Sequence, residues 1–185
     1  DTVNFSASSS SLKKGESFKD TVQNIEAMKI DAVVMRHPTP GAAKHLTNFI
    51  ESIVINAGDG THEHPTQAIL DMMSIYEEFG KLKDLKIGII GDVLHSRVAL
   101  SNIYGLTTMG AKVTLCGPPN LIPPNIEDLG VEVNNNLDYI IEWADALNIL
   151  RIQRERMGRS LIPSIREYRA EFGITSERLN NHKKE

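Results

Sequence analysis

The stretch Lys86-Ile87-Gly88-Ile89-Ile90, followed directly by Gly91-Asp92, is the strongest indicator of the fold. Its residues are apolar almost without interruption, whereas a strand with one solvent-facing side would alternate apolar and polar positions. A continuous run of this length is typical of a strand buried on both faces of a parallel sheet. Similar runs occur four more times along the 185 residues, at 31–35, 52–55, 112–116 and 146–150.

Amphipathic helix patterns lie between these runs. One predicted apolar face consists of Phe18, Val22, Ile25 and Met28, and a second of Ile69, Met72, Met73 and Tyr76. Pro65 suits the first position of the second helix, and Tyr104 and Trp143 are predicted to lie in the core. Strands that alternate with helices indicate βαβ units with right-handed crossovers. The predicted fold class is therefore α/β, with two Rossmann-like lobes in which helices flank parallel sheets.

A short charged connector, residues 80–86 (Gly-Lys-Leu-Lys-Asp-Leu-Lys), separates the early strand patterns from the later ones. We place a domain boundary there, which gives lobes 1–82 and 83–185. The first lobe holds only two or three strand patterns, so we expect its sheet to be incomplete. The opening residues without Met and the charged end lead us to expect that both termini are cut from a longer parent.

The composition argues against several classes of protein. Lys and Arg number 20 against 24 Asp and Glu, with a net charge of -4 and a pI near 5.9, so a diffuse nucleic-acid binder is disfavoured. No stretch approaches the roughly 18–20 continuous apolar residues that a membrane-spanning helix needs, and no membrane partner is expected. The single cysteine, Cys116, rules out an intramolecular disulfide and favours a reducing, cytoplasmic setting.

Basic and polar side chains follow the predicted strands, at the edge where ligands bind in open α/β sheets. Arg36 follows the first run, the turn Asn56-Ala57-Gly58-Asp59-Gly60 follows the second, and Arg97 and Arg151 follow later ones. Each arginine alone is as well explained by a surface ion pair. As a set on a net-acidic chain they indicate a small ligand with several negative charges, because a guanidinium binds carboxylate or phosphate in pairs of hydrogen bonds.

His64 stands directly before Pro65, at the predicted start of a helix. A helix N-terminus favours anions and an uncharged imidazole, so this side chain could donate a hydrogen bond to a developing oxyanion. Gln67 lies one turn into the same helix, near enough to bond a neighbouring amide group.

At these positions the sequence resembles the catalytic chains of the aspartate carbamoyltransferase family. The matching pieces occur in the family's order along essentially the whole chain, and six motifs in register are far more specific than any one. They are Lys13-Lys14-Gly15-Glu16, Met35-Arg36-His37-Pro38, Asn56-Ala57-Gly58-Asp59-Gly60, His64-Pro65-Thr66-Gln67, Gly91-Asp92 with Arg97, and residues 151–156 (Arg-Ile-Gln-Arg-Glu-Arg).

The resemblance implies an enzyme of pyrimidine biosynthesis that transfers the carbamoyl group of carbamoyl phosphate to the amine of L-aspartate. It implies two domains: carbamoyl phosphate would bind the partial lobe 1–82 and aspartate the lobe 83–185. No metal and no organic cofactor would take part. The family forms homotrimers whose active sites are shared between neighbours, and regulatory or partner-enzyme subunits remain open.

The resemblance also assigns roles to individual residues. Arg36, His64 and Gln67 would be the catalytic group: Arg36 would contact the carbonyl oxygen and the phosphate, His64 would polarise the same carbonyl, and Gln67 would hold the carbamoyl amide.

A second set would bind the other substrate. Arg97 and Arg151 would bind the aspartate carboxylates, with Gln153 beside Arg151. Lys14, with Ser10 or Ser11, would lie on a loop that enters the neighbouring subunit's site.

The sequence departs from the family at both ends. A Ser-Thr-Arg-Thr-Arg phosphate loop is expected before residue 1, and a His-Pro-x-Pro-Arg segment after residue 185. Without the phosphate loop we expect the 185-residue chain alone to be weak or inactive.

Four other functions remain as alternatives, the last of which is a non-catalytic binding protein. An ornithine carbamoyltransferase would share the carbamoyl phosphate half, but the Arg-x-Gln-x-x-Arg run favours an acidic second substrate. A metal-dependent hydrolase could use Asp59, His62, Glu63 and His64, although their spacing suits a helix start better than a metal site. A nucleotide-binding module is disfavoured because Gly88 and Gly91 lack the full Gly-x-Gly-x-x-Gly fingerprint and are better explained by close packing.

Overall fold

The computed structural model describes residues 2, 4, 18–152 and 164–181. The described chain separates into two compact units, Asp1–His62 and Glu63–Glu185. This division follows packing and comes earlier than the boundary between residues 82 and 83 that the sequence predicts for the ligand-binding domains, which stays a prediction.

The first unit is built on two parallel strands. Its elements are α1 (Phe18–Glu26), β1 (Ala32–His37), α2 (Ala42–Leu46) and β2 (Ile53–Asp59). Ala32 pairs with Ile53, and the register shifts between Met35 and His37.

Among the described residues, helices cover one face of this sheet, and there Val22, Met35 and Leu46 form a small core. The opposite face exposes Val34 at 68% and Ile53 at 66%. The prediction that these two strands are buried on both faces is therefore wrong for the described residues, because a two-stranded sheet with helices on one side leaves its other side to solvent.

The second unit contains a four-stranded parallel sheet in the order β5-β4-β3-β6. Its elements in chain order are α3 (Pro65–Phe79), β3 (Lys86–Ile90), α4 (Arg97–Thr108), β4 (Lys112–Cys116), β5 (Glu132–Val133), α5 (Leu137–Trp143), β6 (Ala146–Ile149), α6 (Ile165–Phe172) and α7 (Ser176–Asn181). The predicted α/β class is confirmed. The two-residue strand β5 was missed, because so short a segment carries no periodic signal.

The central strand β3 is buried on both faces, as its continuous apolar pattern predicts. Ile87, Ile89 and Ile90 are at most 1% exposed. A side chain at Gly88 would place its Cβ 2.7 Å from Cγ2 of Ile140 and 2.9 Å from Cδ2 of Leu147. The glycine therefore lets α5 and β6 approach β3 closely, which is the packing explanation that the sequence favours over a nucleotide fingerprint.

Helix α3 packs against α4 with a face that shares only Met72 with the predicted one. Ala68 is buried, and Met72 and Ile75 pack against the core between α4 and the four-stranded sheet. These three residues form a stripe at positions i, i+4 and i+7 of the helix. Ile69, Met73 and Tyr76, assigned to the core from the sequence, are exposed. Because α3 is apolar around most of its circumference, periodicity could not select the contact face. Tyr104 on α4 is likewise exposed, at 46%, and not in the core.

We expect Leu106→Ala to lower the free energy of unfolding by about 2–5 kcal/mol, since Leu106 is 1% exposed and its truncation leaves a cavity between α4 and the sheet. Urea unfolding of the chain measures this. Leu70→Ala is the matched control, because Leu70 is a helical leucine that is 54% exposed, and it should change stability by no more than about 0.5 kcal/mol. Equal losses in both variants would contradict the assigned core.

Candidate active site

Pro65 is the first residue of helix α3 and His64 occupies the N-cap position before it, as the sequence predicts. The carbonyl oxygen of His64 accepts hydrogen bonds from the backbone N–H groups of Gln67 and Ala68, at 3.0 and 3.2 Å. The His64 imidazole does not cap the helix, and the first turn carries no acidic residue. This helix end is therefore electropositive and suited to an anion or a growing negative charge.

Thr66 lies within hydrogen-bond distance of the His64 ring, with its Oγ1 3.3 Å from Nδ1. If the hydroxyl donates to Nδ1, the neutral ring carries its proton on Nε2. In that tautomer Nε2 is a hydrogen-bond donor, as polarisation of a carbonyl oxygen requires.

Ser101 ties the start of α3 to the first half of α4. Its Oγ accepts a hydrogen bond from the backbone N–H of His64 at 2.8 Å and donates to the carboxylate of Glu63. Ser101 is 4% exposed, and it lies one turn after Arg97 on the same helix. The serine therefore holds the helix that carries His64 and Gln67 against the helix that begins with Arg97.

Arg97 is the first residue of α4 and is only 7% exposed. Ser96 caps the helix by accepting a hydrogen bond from the backbone N–H of Ala99 at 3.2 Å, and no acidic residue lies in the first turn. A guanidinium at this helix end adds positive charge to the N-terminal end of the helix dipole. The arrangement is therefore suited to an anionic ligand.

The loop between β3 and α4 is held by a buried carboxylate. Oδ1 of Asp92, which is fully buried, accepts hydrogen bonds from the backbone N–H of His95 at 3.2 Å and from Nδ1 of His95 at 2.8 Å. Arg151 lies two residues after the end of β6, and Leu150 between them donates its backbone N–H to the Ile90 carbonyl at 2.8 Å. Because β3 and β6 are parallel, Arg151 leaves the sheet at the same edge as the Asp92 loop.

The structure does not show whether the remaining predicted site residues join this group. Arg36 lies in β1 of the first unit and is exposed. Lys14 and Gln153, like Ser10 and Ser11, lie outside the described residues. The structure thus brings His64, Gln67, Arg97 and Arg151 onto one unit, while the convergence of Arg36 with them stays a prediction.

The motif after β2 forms a turn around a second buried carboxylate. Asp59 is 2% exposed and accepts hydrogen bonds from the backbone N–H of Gly41 at 2.7 Å and from Nδ2 of Asn56 at 3.1 Å, while its Oδ2 lies 3.2 Å from Nδ1 of His62.

Within residues 2, 4, 18–152 and 164–181, no three His, Cys, Asp or Glu side chains are grouped so that they could hold a metal ion. Among the same residues, no helix is long and apolar enough to cross a bilayer.

Sequence reasoning missed Ser101, which contacts His64, and also Asp71, which contacts Gln67. Asp71 accepts a hydrogen bond from Nε2 of Gln67 at 2.8 Å. The available signal was the spacing, because residues four apart on a helix are neighbours. The other partners of Asp71 come from α4 and β6 and have no local signature.

Two ionisable side chains near the end of β3 are shifted by burial. Burial, with smaller contributions from the charges of Asp92 and Cys116, raises the pKa of Tyr168 to about 12. Burial also raises the pKa of the Cys116 thiol to about 11, against a smaller opposing effect of Arg178. Cys116 therefore stays a protonated thiol at neutral pH and is a poor nucleophile.

The sequence of this chain is similar to those of known proteins. Residues 1–77 match the family model of the aspartate/ornithine carbamoyltransferase, carbamoyl-P binding domain. The aspartate carbamoyltransferase catalytic subunit of Chlorobium phaeobacteroides is 54% identical over 183 residues, which is 99% of this chain. That of Gemmatimonas aurantiaca is 57% identical over 181 residues, or 98% of the chain. The chain belongs to the aspartate/ornithine carbamoyltransferase family. It spans 59% and 57% of the length of these two relatives.

Solved structures agree with this assignment. Aspartate transcarbamoylase from Trypanosoma cruzi in complex with carbamoyl phosphate matches 98% of this chain and 61% of its own, with a TM-score of 0.83 and 30% identity. The same enzyme in complex with N-(phosphonacetyl)-L-aspartic acid matches 99% of this chain and 61% of its own, with a TM-score of 0.80 and 29% identity. The family assignment confirmed here is the one that the six motifs indicate.

We expect Thr66→Val to disturb the tautomer of His64, because valine keeps the shape of threonine and removes the hydroxyl beside Nδ1. Nitrogen-15 NMR of the ring should show the proton on Nε2 in the unmodified protein and an increased share of the Nδ1-protonated form in the variant. Thr66→Ser, which keeps a hydroxyl, should retain the original tautomer. An unchanged tautomer ratio in Thr66→Val would contradict the role of the hydroxyl.

Tyr168 should make the fold sensitive to alkali. The folded protein keeps this phenol protonated up to about pH 12, whereas the unfolded chain releases the proton near pH 10, so stability falls as pH rises through this interval. We expect Tyr168→Phe to flatten the decline between pH 10 and 12, measured by urea unfolding at several pH values. Tyr139→Phe, at a tyrosine that is 46% exposed, should follow the unmodified protein. Parallel curves for Tyr168→Phe and the unmodified protein would contradict the shift.

Proposed function

We propose that the protein transfers the carbamoyl group of carbamoyl phosphate to the amine of L-aspartate, giving N-carbamoyl-L-aspartate and phosphate. The observation that carries the proposal is the 54% identity to a catalytic subunit of aspartate carbamoyltransferase over 99% of this chain. The site of the second unit supports it independently, since His64 and Arg97 lie at two electropositive helix ends that Ser101 ties together.

The proposed chemistry is a nucleophilic addition followed by loss of phosphate. The aspartate amine attacks the carbamoyl carbon, the bond from that carbon to the phosphate oxygen breaks, and the departing phosphate accepts the proton of the amine. Negative charge grows on the former carbonyl oxygen. His64 through its Nε2–H and Arg36 through its guanidinium would stabilise that charge, each by about 3 kcal/mol if they act like donors of an oxyanion hole.

The other proposed site residues bind and orient the two substrates. Gln67 would hold the amide of the carbamoyl group. Arg97 and Arg151 would bind the aspartate carboxylates, together with Lys14 and Gln153. The ionised side chain of aspartate explains why cationic residues are placed on the second unit.

The wider organisation is part of the same proposal. Carbamoyl phosphate would bind within 1–82 and aspartate within 83–185, with no metal or organic cofactor in the reaction. The protein would act in the cytoplasm as a homotrimer with active sites shared between subunits, and the 185-residue chain alone would be weak or inactive. Support for the shared site comes only from the family resemblance of the Lys13-Lys14-Gly15-Glu16 motif.

The test uses the full gene product that carries these residues, assayed for phosphate release from carbamoyl phosphate with aspartate and, separately, with ornithine. Aspartate should support turnover and ornithine should not. His64→Ala should lower kcat by about 10²-fold or more, because one donor to the growing oxyanion is lost. His45→Ala, at an exposed histidine of α2, should leave kcat within about twofold.

Turnover with ornithine in place of aspartate would replace the proposal with the sister activity. A requirement for one equivalent of zinc or manganese would favour a metal-dependent hydrolase instead. Full activity of His64→Ala would refute the role given to the imidazole.

A further inference from the structure

Asp71 is the meeting point of three side-chain carboxamides from three different elements. Its Oδ1 accepts from Nε2 of Gln67 on α3 at 2.8 Å. Its Oδ2 accepts from Nδ2 of Asn102 on α4 at 2.7 Å and from Nδ2 of Asn148 on β6 at 3.2 Å. Asp71 and all three amides belong to the second unit.

The chemistry of the carboxylate fixes which way each amide faces. An ionised carboxylate only accepts hydrogen bonds, whereas a carboxamide has a donor end and an acceptor end. Gln67 must therefore turn its NH2 group towards Asp71, and its carbonyl oxygen is held away from that carboxylate. A neutral partner able to donate as well as accept would leave both orientations open.

Asn102 shows how strongly Asp71 imposes this orientation. Asn102 is fully buried, and its Oδ1 has no hydrogen-bond partner among the described residues. A buried acceptor without a partner is unfavourable. The amide nevertheless faces Asp71 with its NH2 group, because the reverse orientation would place the amide oxygen against the carboxylate.

The same three contacts join the elements that carry the proposed site. Gln67 stands four residues before Asp71 on α3, Asn102 follows Arg97 by five residues on α4, and Asn148 precedes Arg151 by three residues at the end of β6. The carboxylate of Asp71 thus links Gln67, which would bind the carbamoyl group, to the elements that carry Arg97 and Arg151, which would bind aspartate. These links would keep the distances between the two sets of side chains fixed.

We propose that Asp71 is a positioning residue that orients Gln67 so that its carbonyl oxygen accepts a hydrogen bond from the NH2 group of the carbamoyl substrate. This inference rests on the proposed function and adds a basis for specificity. A carbamoyl group offers two N–H donors, whereas the acetyl group of the otherwise similar acetyl phosphate offers none. If the carbonyl oxygen of Gln67 is held towards the substrate, it favours carbamoyl phosphate over acetyl phosphate. A carboxamide that can rotate freely would not give this preference.

The test compares carbamoyl phosphate with acetyl phosphate in the full gene product. We expect Asp71→Asn to lower kcat/KM for carbamoyl phosphate about tenfold, the size of one hydrogen bond, and to change the inhibition constant of acetyl phosphate by less than about twofold. Glu78→Gln is the matched control, because it removes one negative charge from an exposed position of the same helix and should change neither constant.

A double-mutant cycle separates positioning from a general structural effect. If Asp71 acts through Gln67, adding Asp71→Asn to Gln67→Ala should not alter the preference for carbamoyl phosphate any further. Loss of affinity for both compounds alike, or an equal loss of preference in the Gln67→Ala background, would overturn the inference. Absence of aspartate carbamoylation in the unmodified protein would instead refute the proposed function.

Asp71→Asn could fail to fold, so a second experiment uses protein that keeps Asp71 and observes the side-chain amide of Gln67 by NMR. The side-chain amide of Gln67, assigned by its disappearance in Gln67→Ala, should show one N–H proton displaced downfield by its bond to the carboxylate. Amide protons at the positions of a solvent-exposed glutamine would overturn the inference.

Discussion

The parallel pairing of β3 with β6 is the constraint on which the second unit depends. Ile87 pairs with Ala146 and Ile90 with Ile149, so the two strands end side by side. The Asp92 loop that leads to Arg97 and the segment that carries Arg151 therefore leave the sheet at one edge. The close packing around this pair depends on Gly88, since a side chain there would collide with the side chains of Ile140 and Leu147. Close packing around Gly88 in the middle of the sheet thus helps to determine where Arg97 and Arg151 lie at its edge.

Much of this arrangement could be predicted from the chain because it rests on local patterns. The continuous apolar run of β3 and the Pro65 start of α3 each have a direct physical cause, and both lie where they were expected. The faces of the elements were harder to predict. Periodicity could not orient α3, which is apolar on most sides. The pattern of β1 and β2 does not reveal that, among the described residues, helices cover one side of their sheet and leave Val34 and Ile53 exposed.

The candidate site divides in the same way. His64, Gln67, Arg97 and Arg151 could be named in advance, because helix starts and strand ends are recognisable in sequence and the motifs resemble those of a family. The polar residues behind them could not. Ser101 binds the backbone of His64 from a helix 37 positions later, and Asn148 reaches Asp71 across 77 positions. Such contacts depend on tertiary packing, for which spacing along the chain carries no signal.

The buried thiol of Cys116 has a practical consequence for biophysical work on this protein. Cys116 is the only cysteine of the chain, is 0% exposed and has a raised pKa, so maleimide and methanethiosulfonate reagents should leave it unmodified while the protein is folded. Cysteines introduced on the surface can then carry fluorophores or nitroxides without a prior cysteine-free background. With one label on α2 and another on α6, resonance energy transfer or pulsed electron paramagnetic resonance would measure the distance between these two helices in solution.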